Sequence, residues 1–578
     1  MPSADSPTAA VPQVPAYEAL AADIQRLGIT AVFGLMSDDT ALFVTTLDAM
    51  GVHFYGARHE NQAVAMAEGY ASATGRLGVA ILGRGPATAN GLHGAVYANR
   101  TGARVLLIFG YVSTGAGAAN GLGPDGKAFN APAVLEASGI TTFVAAESAT
   151  ARRSLALAIA ATQSGGCAAL LLPMNVQFGL VANTGAPGPA DAPAAAAAVA
   201  ASTPPRLRAR QAAVDAAAAL IDRSRKPLFV VGLGAHQAGA RAAIEQLAER
   251  TGAVIATSLK AKDMFRGWPY NLGMIGSFSH SAGRRLIDEA DCVVVFGAGL
   301  NQRTTSYGSA VPPGVPLIQV DTQRSHIGRW FHADLALVAN ARDAAEQLLA
   351  AVAAKPATEK PFHTDAVRLR LADFDIASDF EPAHTPRTID PRSVALALDK
   401  LLPADRNTVF DSGNFLQVLP YVSGQGPDHF KSAHDFSSIG LGFGTALGFA
   451  VGSPQRCTVL FIGDGAFLMT MGELETVVRE DIPLVIVLMN DCAYGAELHY
   501  LKMRNMPVSK SVFPDIDYAP IAAGFGFQAA TVRTLAELQA LAPMLQKPDG
   551  PIFLDCKINA SVMAPFLLET VEHERRKA

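Results

Sequence analysis

No apolar run in this 578-residue sequence approaches the ~20 residues that a membrane-spanning helix needs. The longest, such as Leu484–Met489, are the length of one strand. Cysteine is scarce. Cys167, Cys292, Cys457, Cys492 and Cys556 are scattered, odd in number and free of any C-x-x-C spacing. That argues against a disulfide framework or a zinc cluster and predicts buried thiols in a reducing cytoplasm. Charge is low as well, at 17% of residues with a net of −5, so no basic field gathers nucleic acid. Residues 1–16, rich in Pro, Ala and Ser, lack both the basic start and the apolar stretch of a signal peptide and read as a disordered tail.

What is present is alternation. Val79–Leu82, Arg104–Phe109 and Ala168–Leu172 are short, wholly apolar runs separated by helix-length stretches. Strands of that kind are buried on both faces and belong to parallel sheets covered by helices. The pattern breaks over the proline- and alanine-rich Val181–Pro205, resumes from about 208 to 355, breaks again over Lys355–Pro391 and resumes from 392. The expected architecture is α/β, with three doubly wound parallel-sheet domains at 17–183, 208–355 and 392–578, joined by linkers at 184–207 and 356–391.

Two motifs about 400 residues apart carry the chemistry. The first, Arg58-His59-Glu60-Asn61-Gln62-Ala63, places a carboxylate at the head of a helix. The second is a strand, Thr458–Ile462, followed by Gly463-Asp464-Gly465 and a helix expected to begin near Ala466. Glycines let a backbone approach phosphate oxygens, and the helix start aims its dipole at an anion. Asp464 is a hard oxygen ligand suited to Mg²⁺. The strand Leu484–Met489 ends at Asn490-Asp491-Cys492-Ala493, so Asp464 and Asp491 are expected on the same sheet edge. Gly232-Leu233-Gly234 tempts a dinucleotide reading, but Gln237 stands where a third glycine is needed, and a tight strand-to-helix turn explains it better.

These motifs resemble those of thiamine-diphosphate-dependent enzymes, the group of acetolactate synthase, benzoylformate decarboxylase and pyruvate decarboxylase, over nearly the whole chain. The resemblance implies a pyrimidine-binding domain, a middle domain and a diphosphate-binding domain, in that order. It assigns Glu60 to the coenzyme's aminopyrimidine, where a proton-sharing carboxyl promotes removal of the thiazolium proton; taken alone, Glu60 reads equally as a helix-head acid. It assigns Asp464, Asp491 and the carbonyl of Ala493 to the metal, with Asp491 standing where the family has Asn. Ile439 falls on the position of an apolar wedge that bends the coenzyme, the alternative being a core isoleucine. The Ser437 carbonyl falls beside the pyrimidine amine. Pro86, Asn90, Gly413, Asn414, Ser438, Gly463, Gly465, Ala466, Tyr494, Gly495 and Ala496 fall along the coenzyme. The resemblance also implies a homodimer or homotetramer with the site shared between subunits; a flavin in the middle domain stays open.

Two further acids bear on the reaction. Asp38 and Glu497 match acids of pyruvate-decarboxylase-like members, where such groups move protons after carbon dioxide leaves. The alternatives are a cap before a helix near Thr40–Met50 and a solvated helix position. The histidine pair of those decarboxylases is absent from Gly115–Asn130, and Gly83-Arg84-Gly85-Pro86 replaces the usual serine- or histidine-bearing loop. Cys492, His499, Arg84, His93 and Tyr111 are candidate pocket residues, the two histidines reading first as packing or surface groups. The expected activity is decarboxylation and carboligation of 2-oxo acids. A C–C lyase or hydrolase of diketones or 2-hydroxyacyl-CoA, and a flavin-coupled oxidase, are the alternatives. No nucleic-acid or membrane partner is expected.

Overall fold

The computed structural model describes residues 12–114, 125–183 and 206–577. Its scaffold is three six-stranded sheets in which every registered strand pair is parallel. The first holds β1 (Ala31–Gly34), β2 (His53–Gly56), β3 (Gly78–Leu82), β4 (Val105–Tyr111), β5 (Thr141–Val144) and β6 (Cys167–Pro173) in the order β2-β1-β3-β4-β6-β5. The second holds β7 (Pro227–Val231), β8 (Val254–Thr257), β9 (Asn271–Met274), β10 (Cys292–Phe296), β11 (Leu317–Asp321) and β12 (Leu335–Val338) in the order β9-β8-β7-β10-β11-β12. The third holds β13 (Arg406–Phe410), β14 (Phe430–Ser432), β15 (Cys457–Gly463), β16 (Leu484–Asn490), β17 (Gln528–Val532) and β18 (Ile552–Lys557) in the order β14-β13-β15-β16-β18-β17. The first and third sheets are therefore wound identically. Their central strands are fully buried, as continuous apolar runs require.

The chain forms two compact units. One comprises the described residues up to 183 together with Ala433–Gln455 and Phe467–Leu484; the other comprises the described residues of 206–432 with Arg456–Ala466 and Val485 onward. The regrouping of two C-terminal segments with the first sheet has a packing cause. Helix α1 (Glu60–Thr74), which lies ahead of α2 (Pro86–Thr101), crosses α3 (Leu441–Gly452) at very close range. A methyl group on Gly69 would sit 2.1 Å from the Thr445 carbonyl oxygen, and one on Gly448 would sit 1.8 Å from that of Met66. Only glycine allows the two backbones that near.

Several expectations need correction. Residues 1–11 and 184–205 lie outside the described residues, so the tail and most of the first linker are not addressed. The tail assignment fails at its end, because Gln13–Pro15 is a strand paired antiparallel with Leu180–Ala182. Val14, Ala16, Ala19 and Val181 form a small apolar cluster there. The stretch 356–391 is no bare linker. It contains a helix at Asp365–Ala372, and its Phe362, Val367 and Leu371 join the core of the middle sheet. The helix after the third-sheet turn, α4 (Asp464–Thr470), starts at the aspartate itself, two residues before Ala466. Helices α5 (Glu473–Arg479) and α6 (Gly495–Lys502) follow it. All five cysteines are free, three of them buried. Among the described residues, no helix is long and apolar enough to cross a membrane.

The helix crossing yields a stability prediction. Gly69→Ala should cost about 1–3 kcal/mol in chemical denaturation, the usual penalty of overpacking. Gly524→Ala, where nothing lies within 4 Å, should leave stability unchanged or raise it slightly.

Candidate functional site

In the first unit, Glu60 is the first residue of α1 and is buried. The helix starts there because His59 is its N-cap, with Nδ1 accepting the Asn61 amide at 3.1 Å. Asn90, from α2, donates its amide to Glu60 Oε2 at 3.1 Å. Gln62, two residues along the helix, donates to the Gly440 carbonyl at 3.1 Å and accepts the Gly444 amide at 2.8 Å. That fully buried side chain ties α1 to the start of α3. His93 spans the same seam: Nε2 lies 2.8 Å from Ser438 Oγ, and Nδ1 lies 3.2 Å from the Asn61 amide nitrogen. Burial holds this imidazole below its ordinary pKa, so it is neutral near pH 7. The loop it supports is strained. Ser437 takes φ = 55°, a left-handed conformation uncommon for a side-chain-bearing residue. Ile439 is only half-buried, which disfavours the core-isoleucine alternative.

Asp38 is not a helix cap. The helix that follows begins at Ala41 with Thr40 as its N-cap position. Asp38 is exposed and bonded to the Lys127 ammonium, with Arg84 Nη1 3.6 Å away. The Lys127 hydrogen bond holds its carboxyl below the ordinary range, so it stands as a carboxylate. Arg84 is also placed among acids, 3.1 Å from Asp125 and 3.6 Å from Asp39.

In the second unit, Asp464 follows β15 and starts α4, and is almost completely buried. Asp491 follows the neighbouring strand β16, and its carboxyl faces that of Asp464. Burial pushes Asp464 up from its ordinary pKa, and burial with the negative charge of Asp464 pushes Asp491 up. Two facing carboxylates are a costly arrangement without a cation between them. Their surroundings leave no slack. A methyl group on Gly495 would lie 2.4 Å from Asp491 Oδ2, and one on Gly465 would lie 2.6 Å from the Tyr494 ring. Cys492 takes φ = 56°, and Ala493 bridges Val512, which turns the 491–493 segment back at the sheet edge. Among the described residues no three His, Cys, Asp or Glu side chains gather around one point. Two carboxylates and a carbonyl leave coordination positions for a ligand's own oxygens, the habit of Mg²⁺ and not of a closed structural site.

Other expected residues separate. Asn414 spends its side chain on the backbone, donating to the Val562 carbonyl and accepting the Ala564 amide, both at 2.9 Å. It is a clamp on the C-terminal segment, so only its backbone is left for a ligand. Glu497 is exposed in the first turn of α6. His499 is buried with Nε2 lacking a partner, and Tyr494 is part exposed, edge-on to Phe513 at 4.7 Å. Gly232 and Gly234 serve packing: methyl groups there would meet Gly297 at 2.2 and 3.1 Å. Sequence reasoning missed Asp555, which accepts the Asn490 amide at 2.8 Å and the Tyr518 amide at 2.9 Å, and Lys557, 3.0 Å from it. Both sit in an apolar strand where a charge pair is the one visible signal. It also missed Glu473, which has no motif of its own.

Comparison with known proteins agrees with this geometry. The description "Thiamine pyrophosphate enzyme, N-terminal TPP binding domain" matches residues 15–128, the "central domain" 214–348 and the "C-terminal TPP binding domain" 411–556. The chain is 26% identical to a probable acetolactate synthase large subunit of Methanocaldococcus jannaschii, over 95% of this chain and 93% of that one. It is 26% identical to a sulfoacetaldehyde acetyltransferase of Castellaniella defragrans, over 90% and 88%. It is 28% identical to a probable 2-ketoarginine decarboxylase, AruI, of Pseudomonas aeruginosa, over 83% and 82%. With all three regions matched in order, the chain belongs to the thiamine pyrophosphate enzyme family.

Proposed function

We propose that this enzyme breaks and makes carbon–carbon bonds next to the carbonyl of 2-oxo acids, by decarboxylation and carboligation, with thiamine diphosphate and Mg²⁺. The observation that carries the reading is the Asp464–Asp491 pair, two carboxylates facing each other at a glycine-lined sheet edge. The donor set fits the ion: Asp464, Asp491 and the Ala493 carbonyl would hold it, with the coenzyme's diphosphate completing the shell. When bound, thiamine diphosphate supplies a nucleophilic carbon that stabilises negative charge next to a carbonyl. The relatives named as a synthase, an acetyltransferase and a decarboxylase support this class and leave the particular acceptor open.

The chain's own groups divide the remaining work. Glu60 shares a proton with the pyrimidine ring nitrogen, oriented by Asn90. Ile439 gives the coenzyme an apolar bearing, on a loop steadied by His93 and Gln62. Asp38, ionised by Lys127, accepts or relays a proton and does not donate one at neutral pH. Glu497 is the remaining acid for returning a proton to product. In domain terms, residues 17–183 hold the pyrimidine and 392–578 the diphosphate, with 208–355 between them. Exposed Leu468 and Met469, just beyond Asp464, offer an apolar surface for a second copy in a homodimer or homotetramer.

Four outcomes test this. Incubation with a panel of 2-oxo acids, coenzyme and Mg²⁺ should release carbon dioxide; absence of turnover across the panel would count against the class. Glu60→Gln should slow exchange of the coenzyme's C2 proton by ~10²-fold or more while the coenzyme stays bound; an unchanged rate removes Glu60 from that role. Asp464→Ala should lose Mg²⁺-dependent coenzyme binding. In Asp491→Asn, ion binding should depend less on pH over the neutral range. The raised acids make protons compete with the ion, so wild-type affinity climbs with pH, and removing one charge lowers that competition.

A further inference from the structure

Glu473 opens α5 and is 1% exposed. No motif marks it, yet one of its oxygens accepts the Arg58 amide at 2.9 Å. Its other oxygen accepts the Thr476 hydroxyl at 2.8 Å. Three residues further on, the same helix face continues the grip. Thr476 Oγ1 lies 3.4 Å from the Gly56 carbonyl oxygen, and the Arg479 guanidinium donates to that same oxygen. Glu475 holds the Arg58 guanidinium at 2.5 Å, and Glu480, just past the helix, bonds His53 Nε2 at 2.9 Å. Residues 473, 476 and 479, spaced as neighbours on a helix face, thus meet the backbone of 56–58. Glu60 follows two residues on.

We propose that Glu473, backed by Thr476 and Arg479, is a positioning residue that sets where Glu60 stands by tethering the Arg58 amide, two residues before it. An amide turned toward a buried side chain needs an acceptor there, so the carboxylate is what lets this turn stay closed. The functional half of the inference rests on Glu60 serving the coenzyme; the tether itself does not.

Charge around Glu473 is sparse. Arg58, paired to Glu475, faces it from the loop, and Arg479 lies two turns along its own helix. Helix α3, which packs on α5, carries no ionisable side chain. Burial therefore lifts Glu473 to about 7. A carboxylate accepts from the Arg58 amide and the hydroxyl, whereas a protonated carboxyl turns one oxygen into a donor. The tether should loosen as pH falls through that value.

The test is amide hydrogen exchange by mass spectrometry on the full, coenzyme-free chain, read on peptides spanning 57–62, beside C2-proton exchange with thiamine diphosphate and Mg²⁺. Glu473→Ala should speed exchange at Arg58 about tenfold or more and slow C2-proton exchange in step. Glu473→Gln, which keeps one acceptor, should fall between. Corrected for intrinsic rates, protection in the wild type should rise with pH across neutrality and be flat in Glu473→Gln. If Glu473→Ala does not fold, Glu473→Gln and Thr476→Val carry the same comparison. Wild-type protection in the variants overturns the tether. A loosened amide with an unchanged C2 rate overturns its role in placing Glu60. If Glu60→Gln leaves C2 exchange intact while Glu473→Ala still loosens the amide, the coenzyme role of Glu60 falls and the tether stands.

Discussion

The close crossing of α1 and α3 is the constraint on which the first unit is built. Two helices meet at backbone distance only where side chains are missing, and Gly69, Gly444 and Gly448 are missing them at the crossing. The approach brings Gln62 within reach of both Gly440 and Gly444, so one amide side chain fixes the entry to α3. It also brings His93 to Ser438. The acid at the head of α1 and the strained 437–440 loop are thereby parts of one rigid arrangement, although some 380 residues separate them in the chain.

The second unit works by a different tension. Asp464 and Asp491 are held together against their mutual repulsion by a turn that tolerates no bulk at Gly465 or Gly495. Behind them lies a second set of buried charges, Asp555 and Lys557, which does balance itself and fixes Asn490. The electrostatic cost therefore sits on Asp464 and Asp491, whose surroundings leave them no room to part.

Much of this was legible in the sequence, and the reason is local. Continuous apolar runs announced the parallel strands. Strand ends followed by Gly-Asp-Gly or by Asn-Asp fixed which acids share an edge, because adjacent parallel strands end together. Assignments failed where tertiary context overrides composition. Gln13–Pro15 looks like tail until Leu180–Ala182 arrives to pair with it. Phe362 looks like a linker residue until the middle sheet buries it. Glu473 and Gln62 are ordinary helix residues by pattern; what they do depends on partners hundreds of positions away, which no spacing rule encodes. The ion pairing that keeps Asp38 a carboxylate comes from Lys127, equally out of view of local reading.

The placement of the thiols has a practical consequence. Each sheet contains one deeply buried cysteine: Cys167 in β6, Cys292 in β10 and Cys556 in β18. Burial raises all three, Cys292 to about 12, so almost none is thiolate in the native molecule. An alkylating reagent can reach them only when a strand opens. The rate at which each is labelled therefore clocks the opening of its own layer, and the chain carries a separate internal timer for every one of its three sheets.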